Sequence, residues 1–328
     1  MSKLPPIDIV ICTYNNAPLL DKALSALSQQ KVPAELDWRV LVVDNNCTDN
    51  TQEVVENYRV LVGKIPQLST VSETQQGLTY ARHCGVQNTR ADWIAFVDDD
   101  CFLAEDWVEQ AAKFAAAHPD CGAFGGRVIL DWETLPPKYV LNYGYSFAQQ
   151  EHGPSPQKKS CLVGAGLVLN RAALAHTGWI DKPLLQDRIG TKLISGGDVE
   201  IALRIYGAGY GLWYTPDCKL RHFIPARRTS QKYLIDINYG LGTSQVLGDS
   251  LLWSGSYRDW LLKFIIDAVK ASQNVLIQSL RAAFGRMNPA EVEINRSFVR
   301  GKWAGIRRVV GMSPEERSLL LGRAKLAV

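Results

Sequence analysis

Three short apolar runs constrain this chain more than any other feature. IDIVIC (7–12), RVLVVD (39–44) and WIAFV (93–97) are almost continuously apolar and rich in β-branched residues. Such runs read as strands covered on both faces, as in a parallel sheet flanked by helices. Between them lie stretches with helical spacing: LLDKALSALSQQ (19–30), TQEVVENY (51–58) with Thr48 or Asp49 as its N-cap, and GLTYARHCGVQNT (77–89). Residues 68–71 read as a further short strand, and EDWVEQAAKFAAAHP (105–119) as a helix closed by Pro119. Strand and helix alternate about every thirty residues. The expected fold is α/β, with a doubly wound, mostly parallel sheet.

The pattern then changes. Residues 122–170 are strand-like and loop-rich, in GAFGGRVILDW and SCLVGAGLVLN. From about 231 the chain reads as helical, with 257–286 a long apolar-rich helix carrying interspersed Lys and Arg. This divides the chain into 1–235 and a basic helical extension, 236–328. Residues 257–328 hold thirteen Lys/Arg and six Asp/Glu, a net of +7 against +3 for the whole chain, so 1–256 carries −4. A basic tail on an acidic body points to contact with something anionic.

The seven cysteines, Cys12, Cys47, Cys84, Cys101, Cys121, Cys161 and Cys218, are scattered and form no CxxC. That argues against a disulfide framework or a zinc site and fits a reducing cytosol. The apolar stretch 7–12 is too short for a signal peptide, and no apolar run reaches 18 residues. The expected location is cytoplasmic.

WIAFV ends in Asp98, Asp99 and Asp100. One Asp there reads as a turn. Three adjacent carboxylates repel, and a partly buried one needs a counter-charge, hydrogen bonds or a metal. The carboxyl ends of strands are also where open α/β sheets bind ligands. No GxGxxG and no GxxxxGK[ST] is present, and the loop after the first strand is TYNN. Phosphate must therefore be held another way. Mn²⁺ or Mg²⁺ on the aspartates supplies one, since these ions take hard oxygen ligands together with substrate phosphates. A second acidic cluster, Asp198 and Glu200, lies in SGGDVEIALRI (195–205). Asp198 also reads as a helix N-cap, and Glu200 with Arg204 as a surface i,i+4 ion pair.

Six motifs in order resemble the family 2 glycosyltransferases with the GT-A fold: CTYNN (12–16), VVDNNCTDNT (42–51), GLTYARHCGV (77–86), FVDDD (96–100), GGDVEIALR (196–204) and LWYTPDCKLRHFIPARR (212–228). The resemblance spans about residues 5–230, is greatest to bacterial enzymes of exopolysaccharide assembly, and includes GAGLV and an HxxP segment similar to a cyanobacterial hormogonium-polysaccharide branch. It implies an inverting, metal-dependent transfer of sugar from a nucleotide-diphosphate donor, UDP first among the bases, to a glycan or polyprenyl-linked acceptor. Thr13, Tyr14, Asn15 and Asp44 are implied at the nucleotide base, and Arg82 beside the nucleotide. Asp98 is implied at the ribose or base and as a metal-side residue, Asp99 as the variable middle position, and Asp100 as the metal ligand. His222 is implied as a further metal ligand, and Arg227 and Arg228 at the diphosphate. Asp198 is implied as the catalytic base, with Glu200 as the fallback because Gly197–Asp198 stands where the family has an Glu–Asp pair. Gly164–Ala165–Gly166 would let the backbone approach the donor sugar, while Trp213 and Tyr214 read as packing.

The segment 257–308 combines Trp260, Leu262, Phe264 and Ile266 with Lys263, Lys270, Arg281 and later cations. It reads either as an interfacial helix on the inner face of the cytoplasmic membrane or as a helix packed on protein. No nucleic-acid motif accompanies it. Two other functions compete with transfer. A sugar-1-phosphate nucleotidyltransferase would need a Gly-rich, basic first loop, which TYNN is not. A non-catalytic binding or scaffold protein is suggested only by the missing Glu.

Overall fold

The computed structural model describes residues 4–62, 65, 67–185 and 196–322. Ser195, which opens SGGDVEIALRI, and 323–328 of the basic tail lie outside them. The chain first alternates as expected: β1 (Ile7–Thr13), α1 (Ala17–Ser28), β2 (Trp38–Asp44), α2 (Thr51–Asn57), β3 (Leu68–Ser72), α3 (Leu78–Gln87) and β4 (Trp93–Phe96). There follow β5 (Cys101–Leu103), α4 (Trp107–Ala117), β6 (Cys121–Trp132), β7 (Gln157–Lys159), β8 (Leu167–Asn170), α5 (Arg171–His176), α6 (Gly197–Gly207) and β9 (Gly211–Ile224). The helices α7 (Gln231–Leu251), α8 (Tyr257–Ala283), α9 (Pro289–Val310) and α10 (Pro314–Gly322) complete it.

The strands form one sheet in the order β3-β2-β1-β4-β8-β6-β9-β5, with β7 also on β9. β1, β2, β3, β4, β6 and β9 share one direction; β5, β7 and β8 oppose it. The chain builds outward from β1 to β3, then returns to place β4 on the other side of β1. That reversal opens a crevice at the carboxyl ends of β1 and β4, the place where such sheets bind ligands.

Alternation along the strands separates two cores. Ile7, Ile9 and Ile11 of β1, with Trp93 and Ala95 of β4, pack on Leu20 and Leu24 of α1 and Trp107 of α4. Val10, Ile94 and Phe96 face the other way, onto Ala81 of α3 and Ile201 of α6. Helices thus cover both faces, which is why these strands read as unbroken apolar runs. The C-terminal helices join this body through apolar contacts. Leu234 and Ile237 of α7 pack with Phe147 and Ile224, and Val246 and Leu247 with Leu185 and Leu203. The expected division at 235/236 falls inside α7. Among the described residues, no helix is long and apolar enough to cross a membrane.

Two local expectations change. The N-cap of α2 is Asn50, with no side-chain cap bond. Asp49 instead accepts from Thr51 N and Oγ1 and from Ala17 N, bracing the start of α1 against that of α2. Within SCLVGAGLVLN only Leu167–Asn170 is strand. Leu167 N closes a turn on the Gly164 carbonyl at 3.2 Å, and Gly166 sits at φ +70°, which interrupts an extended path.

Candidate active site

Thr13 ends β1 in register with Asp44 of β2. Its hydroxyl donates to Asp99 Oδ2 at 2.7 Å, and Asn16 Nδ2 donates to Asp99 Oδ1 at 2.7 Å. Asp99, expected as a variable middle position, is therefore a clasp across the crevice. Burial, and then the neighbouring Asp100, push its pKa up to about 7 against the pull of those two donors. Asn16 was not singled out in TYNN, although a half-buried carboxylate in the aspartate run needs such a donor.

Asp98 faces Arg82 of α3, Oδ1 to Nη2 at 3.9 Å. The Arg82 guanidinium lies over Phe96, 5.6 Å from the ring centroid, and the residue is buried. It is not a helix-surface arginine: α3 packs on β1 and carries this face inward.

Asp100 is the hub. Its Oδ2 accepts from Arg228 Nη1 at 2.9 Å, and His222 Nε2 lies 3.3 Å from its Oδ1. Strand pairing sets this geometry. β5 runs antiparallel to β9 with Cys101 opposite His222, and Phe223 N donates to the Asp100 carbonyl at 2.8 Å. His222 Nδ1 lies 2.8 Å from the Phe147 carbonyl, which can only accept. Nδ1 therefore carries the proton, and Nε2 is the nitrogen facing the carboxylate. Burial alone disfavours the His222 imidazolium, but Asp100 outweighs it, so the His222 pKa lies above its ordinary value. Arg227 does not share this position; it is exposed, and Arg228 alone of the pair meets Asp100.

Asp100, Cys101 and His222 each offer one donor atom within 4.8 Å of the others, all buried. Burial and Asp100 push the Cys101 thiol well above its usual range, which keeps it protonated and a poor ligand. A carboxylate oxygen and an imidazole nitrogen remain. This donor set fits Mn²⁺ or Mg²⁺ completed by substrate oxygens.

At the end of β2, Asp44 Oδ1 accepts from Cys47 N at 2.8 Å and Oδ2 from Gln52 Nε2 at 3.4 Å. Asp44 thus shapes a turn, as an Asp there commonly does. Asn15, at φ 49°, accepts from Thr48 N at 2.6 Å and ties the β1 loop to the β2 loop. Between the bonded Thr13 and Asn15, Tyr14 stands out at 46% exposure. Asn45, also not singled out, donates to the carbonyls of Glu73 and Gln75 and accepts from Gly77 N. It couples the β2 loop to the start of α3, and hence to Arg82.

The second acidic cluster divides. α6 is capped at Gly196, with φ +143°, so Asp198 lies in its first turn and is not the N-cap. The Asp198 carboxylate packs on Gly164: a Cβ there would stand 2.5 Å from Oδ2. The glycine of GAG thus leaves room for Asp198. Glu200 is fully buried, and its pair with Arg204 is interior, not on a surface. It accepts from Leu184 N at 2.8 Å and Leu185 N at 2.6 Å. Its position beneath the 182–185 segment, which also takes Arg204 Nη2 on the Lys182 carbonyl, explains the burial. Removing one member of such a pair leaves a buried charge uncompensated. Glu200→Ala is expected to lower unfolding free energy by about 3–5 kcal/mol, read by urea denaturation. A fully stable but inactive Glu200→Ala would instead make Glu200 the base. Tyr214 is fully buried, and Trp213 packs by His118, as packing residues do.

The sequence model described as Glycosyl transferase family 2 matches residues 8–178. The succinoglycan biosynthesis protein ExoM of Rhizobium meliloti is 32% identical over 231 residues, 70% of each chain. The glucosyl-dolichyl phosphate glucuronosyltransferase of Haloferax volcanii is 24% identical, covering 80% of this chain and 86% of its own. Among solved structures, the mannosyltransferase PcManGT of Pyrobaculum calidifontis, in complex with GDP-Man and Mn²⁺, has a TM-score of 0.54 at 19% identity. That match covers 98% of this chain and 80% of the other, and it shows a shared fold of GT-A type. The chain belongs to glycosyltransferase family 2 and is a glycosyltransferase.

Proposed function

We propose that this enzyme is an inverting, metal-dependent transferase that passes a sugar from a nucleotide-diphosphate donor to a glycan or polyprenyl-linked acceptor. The observation that carries the reading is the Asp100–His222–Arg228 cluster, whose Asp100 follows the carboxyl end of β4, where the strand order reverses. Asp100 and His222 would hold Mn²⁺ or Mg²⁺. When bound, the ion would stabilise negative charge on the departing nucleoside diphosphate.

The chain's own residues do the rest. Arg228 presents a fork of donors suited to the diphosphate, and exposed Arg227 lies one residue away in the same basic loop. Asp98, held by Arg82, faces the ribose side. Tyr14 offers its ring to the base, and Asp44 one carboxylate edge. Thr13 and Asn15 shape that loop, since their side chains are already bonded within it. Asp198 takes the proton of the acceptor hydroxyl as that oxygen attacks the anomeric carbon. Glu200 supports the 182–185 segment and is not proposed as base.

Support for UDP or GDP donors comes from solved structures of similar fold, TarS of S. aureus in complex with UDP-GlcNAc and PcManGT in complex with GDP-Man. Support for polysaccharide or lipid-linked acceptors comes from the names of the two relatives. Membrane contact through 257–308, at the inner face of the cytoplasmic membrane, would bring the site to a lipid-linked acceptor. The test is a screen of UDP-, GDP- and dTDP-sugars with Mn²⁺ or Mg²⁺, following release of nucleoside diphosphate. One donor class should turn over with metal. Release of pyrophosphate from a nucleoside triphosphate and a sugar 1-phosphate, with no transfer from any nucleotide sugar, would overturn the reading.

A further inference from the structure

Only one side of α8 is packed. Trp260, Phe264, Ala268 and Val275 are buried against the neighbouring helices. The opposite side shows Leu262, Ile266, Val269, Leu276, Leu280 and Phe284, with Leu276 64% and Phe284 77% exposed. At 100° per residue these fall on one stripe. Lys263, Lys270 and Arg281 line one of its flanks, all exposed. An isolated exposed Leu needs no explanation; an apolar stripe that runs from Leu262 to Phe284, interrupted by Gln273, does.

The other flank leads to a cavity. Trp303 of α9 donates from Nε1 to Ser272 Oγ of α8 at 3.2 Å. Ser272 lies one turn from both Val269 and Leu276 of the stripe. Trp303, with Tyr239 of α7 and Arg300 and Arg307 of α9, lines a cavity of about 360 Å³. Positions 300, 303 and 307 share one face of α9. Neither arginine forms an ion pair among the described residues. From Ile294 to Val310, α9 carries five cations and no acidic residue.

We propose that this cavity binds the phosphate of a lipid headgroup while the α8 stripe lies on the bilayer surface. Guanidinium forks suit a phosphate ester. Trp and Tyr, with an apolar body and a polar edge, belong at a membrane interface. Basic pockets beside apolar helix faces recognise lipid headgroups by this combination. The assignment rests on the peripheral-membrane part of the proposed function and on none of its transfer chemistry.

The test is co-sedimentation of the full chain with three kinds of vesicle: phosphatidylcholine alone, or mixed with phosphatidic acid, or mixed with phosphatidylserine to the same surface charge. Wild type should bind the phosphatidic acid vesicles best and phosphatidylcholine least. Arg300→Ala/Arg307→Ala should weaken binding to phosphatidic acid about tenfold or more. Arg300→Lys/Arg307→Lys, which keeps the charge, should lose the preference over phosphatidylserine. Leu262→Glu/Leu276→Glu should release all vesicles. Nucleotide-sugar turnover by the arginine variants, measured without vesicles, should match wild type, which separates this result from failure of the transferase reading.

Three results would each overturn the proposal. The first is equal binding by wild type and Arg300→Ala/Arg307→Ala. The second is inorganic pyrophosphate binding in solution through Arg300 and Arg307 while wild type sediments with phosphatidic acid vesicles no better than with phosphatidylcholine alone, which would assign the cavity to a free anion. The third is a dimer dispersed by Leu262→Glu/Leu276→Glu with vesicle binding intact, which would make the stripe a contact between copies.

Discussion

Asp198→Asn should bind the donor as wild type does and turn it over about 10²–10⁴ times more slowly, the range for removing a general base. The amide keeps the size of the carboxylate and therefore the packing on Gly164, where a Cβ would meet Oδ2 at 2.5 Å. It cannot accept the acceptor's proton. The loss should thus appear in kcat, with the donor Kd unchanged. Stability should stay within about 0.5 kcal/mol of wild type, because Asp198 is not part of the buried Glu200–Arg204 pair. That contrast with Glu200→Ala separates the two acids. An Asp198→Asn enzyme with wild-type kcat would remove Asp198 from the chemistry.

Asp100→Ala should be more severe and of a different kind. It removes the carboxylate that meets both His222 and Arg228. Loss of the metal's several kcal/mol of charge stabilisation corresponds to about 10³-fold or more in turnover. Unlike Asp198→Asn, it should also abolish metal-dependent donor binding, read by calorimetric titration with and without Mn²⁺. Asp100→Asn serves as the folding control, since it retains an acceptor for Arg228. Metal-dependent binding of undiminished affinity in Asp100→Ala would place the cation elsewhere.

Much of the fold was legible because the early strands are covered on both faces. Ile7, Ile9 and Ile11 meet one core and Val10 the other, so hydrophobicity runs unbroken and period-two alternation disappears. The aspartates at the end of β4 were legible for the opposite reason: adjacent charges after an apolar run demand partners. Which partners they have was not. Asn16, the Phe147 carbonyl and the Arg227/Arg228 choice depend on loop paths and on the β5–β9 register, which no local spacing encodes.

Glu200 and Arg204 show the limit most clearly. Their i,i+4 spacing is that of a surface pair, and it reads so on any isolated helix. Burial comes from the 182–185 segment lying across α6, a tertiary contact between stretches the sequence keeps apart. Gly164 is similar: its partner, Asp198, is thirty-four positions away in the chain. The α8 helix was legible as a helix, but not which side would pack, because apolar residues run almost all the way round its first turns.

The most direct measurement is the affinity of the wild-type enzyme for UDP- and GDP-sugars, by calorimetry, with Mn²⁺ present and after chelation. A metal-dependent transferase built on Asp100 and His222 predicts tight binding of one nucleotide class with the ion and its loss without it. Equal binding in both conditions, or no binding of any nucleotide sugar, would contradict it.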